Sequence, residues 1–137
     1  AIPQIADYLN KKDIATYMIN AGGDIYAKSA PGHTWNIAIN NPNGSAPIAT
    51  LSVDTIAVAT SGIYEKGSHI YDPHTKQPAE SAHKSVTIFG KDIITADVLA
   101  TAVFAMGSNA LAFMKKQKDY TAIILDANGA VLTTAKT

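Results

Sequence analysis

One apolar stretch of the sequence contains two oxygen-bearing side chains whose spacing would let them act together. Residues 96–106 are apolar except for Asp97 and Thr101. In a helix, residues four apart lie on the same face. A carboxylate and a hydroxyl are hard oxygen ligands of the kind that Mg²⁺ prefers. The pair could therefore form half of a metal site.

The same pair also has a purely local interpretation. An acidic residue in a first helical turn satisfies free N–H groups and the helix dipole, and a helical threonine can bond back to a carbonyl. The absence of arginine favours the metal, because all eleven basic residues are lysines. Without a guanidinium fork, binding of a di- or triphosphate substrate would depend more on a divalent cation.

A glycine pair and a strand end provide further candidate sites. Gly22 and Gly23 join two β-type runs, where backbone N–H groups could approach a phosphate or a flavin edge, and the neighbouring Asp24 could accept a hydrogen bond. The segment Thr60-Ser61-Gly62 ends an apolar strand with two hydroxyls and a glycine. A hairpin turn and an ordinary strand exit are the corresponding alternatives.

A histidine near an Asp-Pro turn is the remaining candidate. His69 precedes Ile70 and Tyr71, and Asp72-Pro73 follows. Imidazole is the side chain best suited to moving protons near neutral pH. A solvated loop histidine is the alternative interpretation.

Hydrophobic periodicity predicts the elements that would position these residues. An amphipathic helix is predicted from Ile2 to Lys12. A second helix, apolar all round and therefore expected to be buried, has Thr95 as its predicted N-cap and ends at Gly107. A third is predicted from Ser108 to Lys118. Strands are predicted at residues 17–19, 25–27, 34–39, 48–53, 56–60, 85–89, 122–125 and 131–134. The predicted fold class is α+β, a mainly antiparallel sheet with packed helices.

Composition excludes several classes of function. The 137 residues are 47% hydrophobic and 16% charged, as expected for a folded domain with a sizeable core. Eleven basic residues balance eleven acidic ones, so the chain lacks the positive field of a nucleic-acid binder, and we expect no nucleic-acid partner. The absence of cysteine excludes disulfides and thiolate chemistry. Neither a P-loop nor a dinucleotide-binding glycine motif is present.

Four segments, taken in order, resemble motifs of the ApbE family, the FAD:protein FMN transferases. They are INAGGDI at residues 19–25, AVATSGIYE at 57–65, HIYDPHT at 69–75 and ADVLATA at 96–102. The chain departs from the family pattern at Ile63, where the family usually has Asp, and at His74-Thr75-Lys76, where it usually has Arg-Thr-Gly.

This resemblance implies an ApbE-like fold and an enzyme that uses Mg²⁺ to split FAD at its pyrophosphate. FMN would pass to a Thr or Ser hydroxyl of an acceptor flavoprotein, and AMP would be released. Asp97 and Thr101 would be the Mg²⁺ ligands, and His69 would activate the acceptor hydroxyl or orient the phosphates. The implied FAD contacts are Gly22, Gly23, Asp24, Thr60, Ser61, Gly62, His69 and Ile70. The alternatives are a Mg²⁺-dependent FAD pyrophosphatase and a non-catalytic flavin-binding remnant.

The resemblance also predicts which part of a larger domain this chain forms and where the protein is located. Residues 1–137 align with the C-terminal portion of the family's flavin transferase domain. The N-terminal half would be a partner that supplies further FAD contacts and a backbone ligand for the metal. Family members are typically exported and lipid-anchored, so the expected location is extracytoplasmic, as a membrane-anchored lipoprotein.

Overall fold

A computed structural model describes residues 1–63, 70–77 and 82–136 of the chain. The helices are α1 (Ile2–Lys11), α2 (Ile93–Met106) and α3 (Ala110–Met114), with a 3₁₀ turn (Gly107–Asn109) joining the last two. The strands are β1 (Tyr17–Ala21), β2 (Asp24–Lys28), β3 (Trp35–Ile39), β4 (Ala49–Val53), β5 (Ile56–Gly62), β6 (His83–Gly90), β7 (Thr121–Asp126) and β8 (Val131–Thr133).

Six strands form one antiparallel sheet in the order β1-β2-β5-β6-β7-β8. The strands β3 and β4 form a separate antiparallel hairpin, inserted in the chain between the neighbours β2 and β5. All the strand pairs of these two sheets are antiparallel. The predicted α+β class is therefore confirmed.

The large sheet is covered on both faces. On one face, Ala57 and Ala59 of β5 are fully buried in a core that includes Ala96 and Ala100 of α2. On the other face, Val58 belongs to a second core with residues of the β3–β4 hairpin. Because successive strand side chains point to opposite faces, β5 divides its side chains between the helix layer and the hairpin layer.

The helix boundaries differ from those predicted. The N-cap of α2 is Asp92, three residues before Thr95, and its carboxylate accepts hydrogen bonds from Thr95 N–H at 2.8 Å and Thr95 Oγ1–H at 2.7 Å. The Asp-x-x-Thr pattern before an apolar run was the signal for this cap. The predicted helix from Ser108 to Lys118 is shorter, because a 3₁₀ turn precedes α3 and bonds such as Lys116 N–H to Phe113 O close it with tighter turns.

The helices α2 and α3 are apolar enough to be compared with membrane-spanning helices. By length and composition alone, the helical segment Ile93–Met114 could cross a membrane, a criterion that core helices of water-soluble proteins also meet. Here Ala96, Ala100 and Val103 are fully buried in the core against the sheet.

Candidate functional site

The helix α2 carries Asp97 and Thr101 on an open face. Both side chains are exposed, and so are the flanking Ile94 and Val98, which are 60% and 61% exposed. The expectation that α2 is buried all round was therefore wrong. The sheet covers the side of the helix that carries Ala96 and Ala100. Asp97 and Thr101 lie at the edge of this covered side, and Ile94 and Val98 lie on the open side beyond them.

Asp97 does not lie in the first turn of α2, where an acidic side chain would satisfy free N–H groups. Asp97 is the fifth residue of α2, beyond the first turn, and the cap is made by Asp92. Asp92 accepts hydrogen bonds from the hydroxyl and the backbone N–H of Thr95. These bonds, of which that from the hydroxyl has the larger effect, lower the pKa of Asp92 below its ordinary value. Sequence analysis predicted Thr95 as the cap and missed Asp92. Because Asp92 caps the helix, the Asp97 carboxylate is not needed for capping.

Thr101 meets the end of β5. Its Oγ1 lies 3.3 Å from Ser61 Oγ, within hydrogen-bond distance, and either hydroxyl could be the donor. The two residues are 40 positions apart in the sequence. This contact joins the Thr60-Ser61-Gly62 segment to the Asp97–Thr101 pair.

The turn between β1 and β2 reaches the same region from a third element. Asp24, the first residue of β2, and Asp97 both line a cavity of about 220 Å³ beside the start of α1. The fold therefore brings two carboxylates and two hydroxyls from α2, β2 and β5 to one end of the sheet. Among them, Asp97 and Thr101 lie four residues apart on α2 and present the hard oxygen atoms that Mg²⁺ prefers.

Thr60 lies on the other face of the sheet. Its Oγ1 is 2.9 Å from Oγ1 of Thr87, a residue only 1% exposed on β6, which sequence reasoning did not single out. Together with Gly23, Thr60 lines a separate cavity of about 200 Å³ against the β3–β4 hairpin. The structure therefore does not bring the side chains of Thr60 and Ser61 to a common site.

Local geometry accounts for the three candidate glycines. Gly22 and Gly23 have φ angles of +65° and +100°, which glycine adopts without strain and which a two-residue hairpin turn requires. The Gly23 N–H also donates to Asn20 Oδ1 at 3.1 Å. At Gly62, a Cβ would lie 3.0 Å from Lys84 O on the neighbouring strand. Turn geometry and close strand packing thus suffice to explain these glycines, whether or not they also touch a ligand.

The histidine segment is described only in part. His69 lies outside the described residues. Ile70 is 9% exposed and belongs to the core on the helix side of the sheet, while Tyr71 is 57% exposed. After them, Asp72 accepts a hydrogen bond from His74 N–H at 2.7 Å, which forms the expected Asp-Pro turn.

The described part of the chain has no metal-binding cluster of the kind built from charged and imidazole side chains. Among residues 1–63, 70–77 and 82–136, no group of three or more His, Cys, Asp or Glu side chains could hold a metal ion. The candidate site differs from such a cluster in that two of its four side chains, Ser61 and Thr101, carry hydroxyls.

Known proteins resemble this chain in sequence and structure. A sequence model of the ApbE family matches residues 1–125. The FAD:protein FMN transferase of Vibrio cholerae is 38% identical over 119 residues, which is 75% of this chain and 34% of that protein. The ApbE protein from Thermotoga maritima has a TM-score of 0.79 at 34% identity, covering 90% of this chain and 44% of that one. The flavin transferase ApbE from Vibrio cholerae has the same TM-score at 31% identity, covering 96% of this chain and 45% of that one. The chain therefore spans between a third and a half of the length of these relatives.

Proposed function

The chain belongs to the ApbE family, and we propose that it is the C-terminal portion of a flavin transferase domain. Within the complete protein, it would contribute to the Mg²⁺-dependent transfer of FMN from FAD to a Thr or Ser hydroxyl of an acceptor flavoprotein, with release of AMP. One observation carries this proposal. Three separate sequence segments, containing Asp24, Ser61 and the Asp97–Thr101 pair, converge at one end of the sheet.

The Asp97 carboxylate and the Thr101 hydroxyl would hold the Mg²⁺ ion. When bound, the ion neutralises charge on the pyrophosphate oxygens of FAD. The chain itself has no arginine for that purpose. Asp24, across the cavity from Asp97, would accept hydrogen bonds from the substrate or from water bound to the ion.

The reaction would proceed by displacement at phosphorus. The acceptor hydroxyl oxygen forms a bond to the phosphorus on the FMN side, the bridging P–O bond breaks, and AMP leaves with the electron pair. The hydroxyl proton must pass to a base, and we propose His69 for that role, with orientation of the phosphates as the alternative. This assignment is supported by the family motif alone. The protein's main task is to hold the nucleophile and leaving group in line.

The remainder of the domain would cover the open face of α2. Two large apolar side chains, Ile94 and Val98, are exposed directly beside Asp97. Because each is about 60% exposed, burying the remaining surface of each would contribute about 1 to 2 kcal/mol. Together with the 34% to 45% coverage of the relatives, this supports a site whose second half is contributed by the N-terminal part of the protein.

A chimera provides the test. This chain replaces the matching 45% of the Vibrio cholerae flavin transferase, and the purified chimera is incubated with FAD, Mg²⁺ and a Thr-containing acceptor domain. Mass spectrometry of the acceptor should detect an FMN adduct, and AMP should appear in equal amount. The isolated 137-residue chain should give neither product. The Asp97→Ala chimera should be inactive, whereas Asp119→Ala, which removes an exposed carboxylate elsewhere, should retain activity.

The other outcomes separate the alternatives. Release of free FMN and AMP without an adduct would identify a pyrophosphatase. Binding of FAD without any product would identify a non-catalytic remnant. Full activity of Asp97→Ala would contradict the assignment of the metal site, and turnover by the isolated chain would contradict the need for a second half.

A further inference from the structure

The contact between the hydroxyls of Ser61 and Thr101 could orient Thr101 as a metal ligand. We propose that Ser61 is a positioning residue, whose Oγ accepts a hydrogen bond from the Thr101 hydroxyl and thereby turns the lone pairs of Thr101 Oγ1 toward the cation. This inference rests on the proposed function, because it takes Thr101 as a ligand of the metal. It concerns a residue that the family motif would instead assign to direct FAD contact.

The fold fixes Ser61 at the place where such a contact can form. Ala57, Ala59 and Ser61 follow one another on the face of β5 that packs against α2, and both alanines are fully buried. Small side chains on a strand and on the facing helix allow the two backbones to approach closely. Ser61 continues this row to the strand end, where Thr101 follows the buried Ala100 on the helix. Ser61 Oγ and Thr101 Oγ1 then lie 3.3 Å apart.

The chemistry of a hydroxyl ligand determines the direction of this hydrogen bond. A threonine hydroxyl has one proton and two acceptor lone pairs. When a lone pair binds a cation, the proton must point away from the ion and needs an acceptor. A helical threonine ordinarily donates to the carbonyl four residues earlier, which ties its orientation to the helix backbone. Ser61 Oγ offers an acceptor outside the helix, so Thr101 donates and Ser61 accepts.

The distance leaves room for this bond to strengthen. At 3.3 Å the contact is longer than the roughly 2.7 to 2.8 Å usual for hydroxyl pairs. A cation on Oγ1 polarises the O–H bond and makes Thr101 a better donor, and bonds with ionised character are shorter and stronger. The neighbouring strand keeps Ser61 in place, because Ser61 pairs with Val86 and Thr60 is bonded on the opposite face to Thr87.

Nuclear magnetic resonance of the chimera described above, which also contains the N-terminal half of the domain, can test this role without any turnover. Two quantities are measured: the Thr101 χ1 rotamer from three-bond couplings, and the Mg²⁺ affinity from amide shifts near residue 97 during titration with MgCl₂. Ser61→Ala should weaken Mg²⁺ binding by about tenfold, the low end of the effect of removing a hydrogen bond to a metal ligand, and should average the rotamer. Ser61→Thr retains the acceptor and should restore both values. Ser52→Ala, at an exposed position on β4, is the matched control and should change neither.

The possible failures are distinguishable. If Asp97→Ala abolishes binding while Ser61→Ala keeps the wild-type affinity and rotamer, the positioning role is overturned and the metal site stands. If Ser61→Thr fails to restore what Ser61→Ala loses, packing rather than the hydroxyl is responsible, and the inference is again wrong. If the chimera that carries the unaltered 137 residues shows no saturable shifts near residue 97, or its Asp97→Ala variant binds Mg²⁺ as tightly, both the proposed metal site and this inference fail.

Discussion

The N-cap of α2, the helix that carries Asp97 and Thr101, allows a quantitative prediction of how much one residue stabilises this helix. Asp92 accepts two hydrogen bonds from Thr95, at 2.8 Å from the backbone N–H and 2.7 Å from the hydroxyl. Replacing an N-cap residue by alanine costs about 0.5 to 2 kcal/mol, typically about 1. Because Asp92 is exposed to solvent, we expect Asp92→Ala to lower the free energy of unfolding by about 1 kcal/mol. For a chain of this size, that corresponds to a melting temperature lower by roughly 3 to 5 °C.

The charge of Asp92 makes a separate, pH-dependent contribution. The hydrogen bonds from Thr95 lower the pKa of Asp92 in the folded chain below its ordinary value of 3.8. As the pH falls, the unfolded chain therefore takes up this proton first. The stabilisation is complete above about pH 3.8 and is lost as the pH falls through the lower folded value. Asp92→Asn should keep the cap and lose only this charge-dependent part, about 0.3 to 1 kcal/mol at neutral pH.

Urea denaturation followed by circular dichroism would measure both effects, at pH 7 and at steps down to pH 3. The difference in the free energy of unfolding between wild type and Asp92→Asn should become smaller as the pH falls below about 3.8. A double-mutant cycle with Thr95→Val should give a coupling of 0.5 kcal/mol or more, since the two side chains bond directly. An Asp92→Ala chain as stable as wild type at pH 7, or a wild-type to Asn difference that does not change with pH, would refute this account of the cap.

Two further predictions concern the sheet and its edge. A Cβ at Gly90 would overlap the Tyr120 ring, so Gly90→Ala should destabilise the chain by about 1 to 3 kcal/mol in urea denaturation. At Gly44, in an exposed loop, a Cβ would meet only the Asn41 side chain, at 3.1 Å, and Gly44→Ala should change the stability by about 0.5 kcal/mol or less. Equal effects of the two substitutions would contradict the close packing at Gly90. Burial raises the pKa of Tyr17, whose hydroxyl donates to Asn10 Oδ1 at 3.1 Å. The stabilisation from Tyr17 should therefore be complete below about pH 10 and be lost as the pH rises further, and a Tyr17→Phe chain whose stability falls just as steeply above that pH would disprove it.

Hydrophobic periodicity was sufficient to predict most of the architecture, because the sheet is covered on both faces and its strands have clear boundaries. The hairpin over β3 and β4 follows the alternation of Trp35, Ile37 and Ile39, all on the side turned to the second core. The extent of α3 could not be predicted this way, since the apolar pattern ends at Met114 and the polar residues 115–118 that follow do not show where tight turns end the helix. The open face of α2 could not be predicted either. Composition shows that the helix is apolar, but it does not show which parts of the protein cover each face.

The candidate site depended on a different kind of information. Spacing along one helix was enough to pair Asp97 with Thr101, whereas the contact to Ser61 spans 40 residues and appears only in the folded chain. The three-residue segment Thr60-Ser61-Gly62 illustrates why a sequence motif is an incomplete guide. Alternation along a strand sends the two hydroxyls to opposite faces, where Thr60 meets the buried Thr87 and Ser61 meets Thr101.

A contiguous motif on a strand thus cannot present all its side chains on one face of the sheet. In this chain, Ser61 is in contact with the proposed metal-binding pair, Thr60 lines a separate cavity, and Gly62 lets β6 approach within a distance that a Cβ would obstruct. The requirement for three particular residues can therefore arise from three different interactions. If FAD reaches this segment, it can meet the Ser61 side chain on one face of the sheet and the Thr60 side chain on the other, but it can meet both together only around the end of β5.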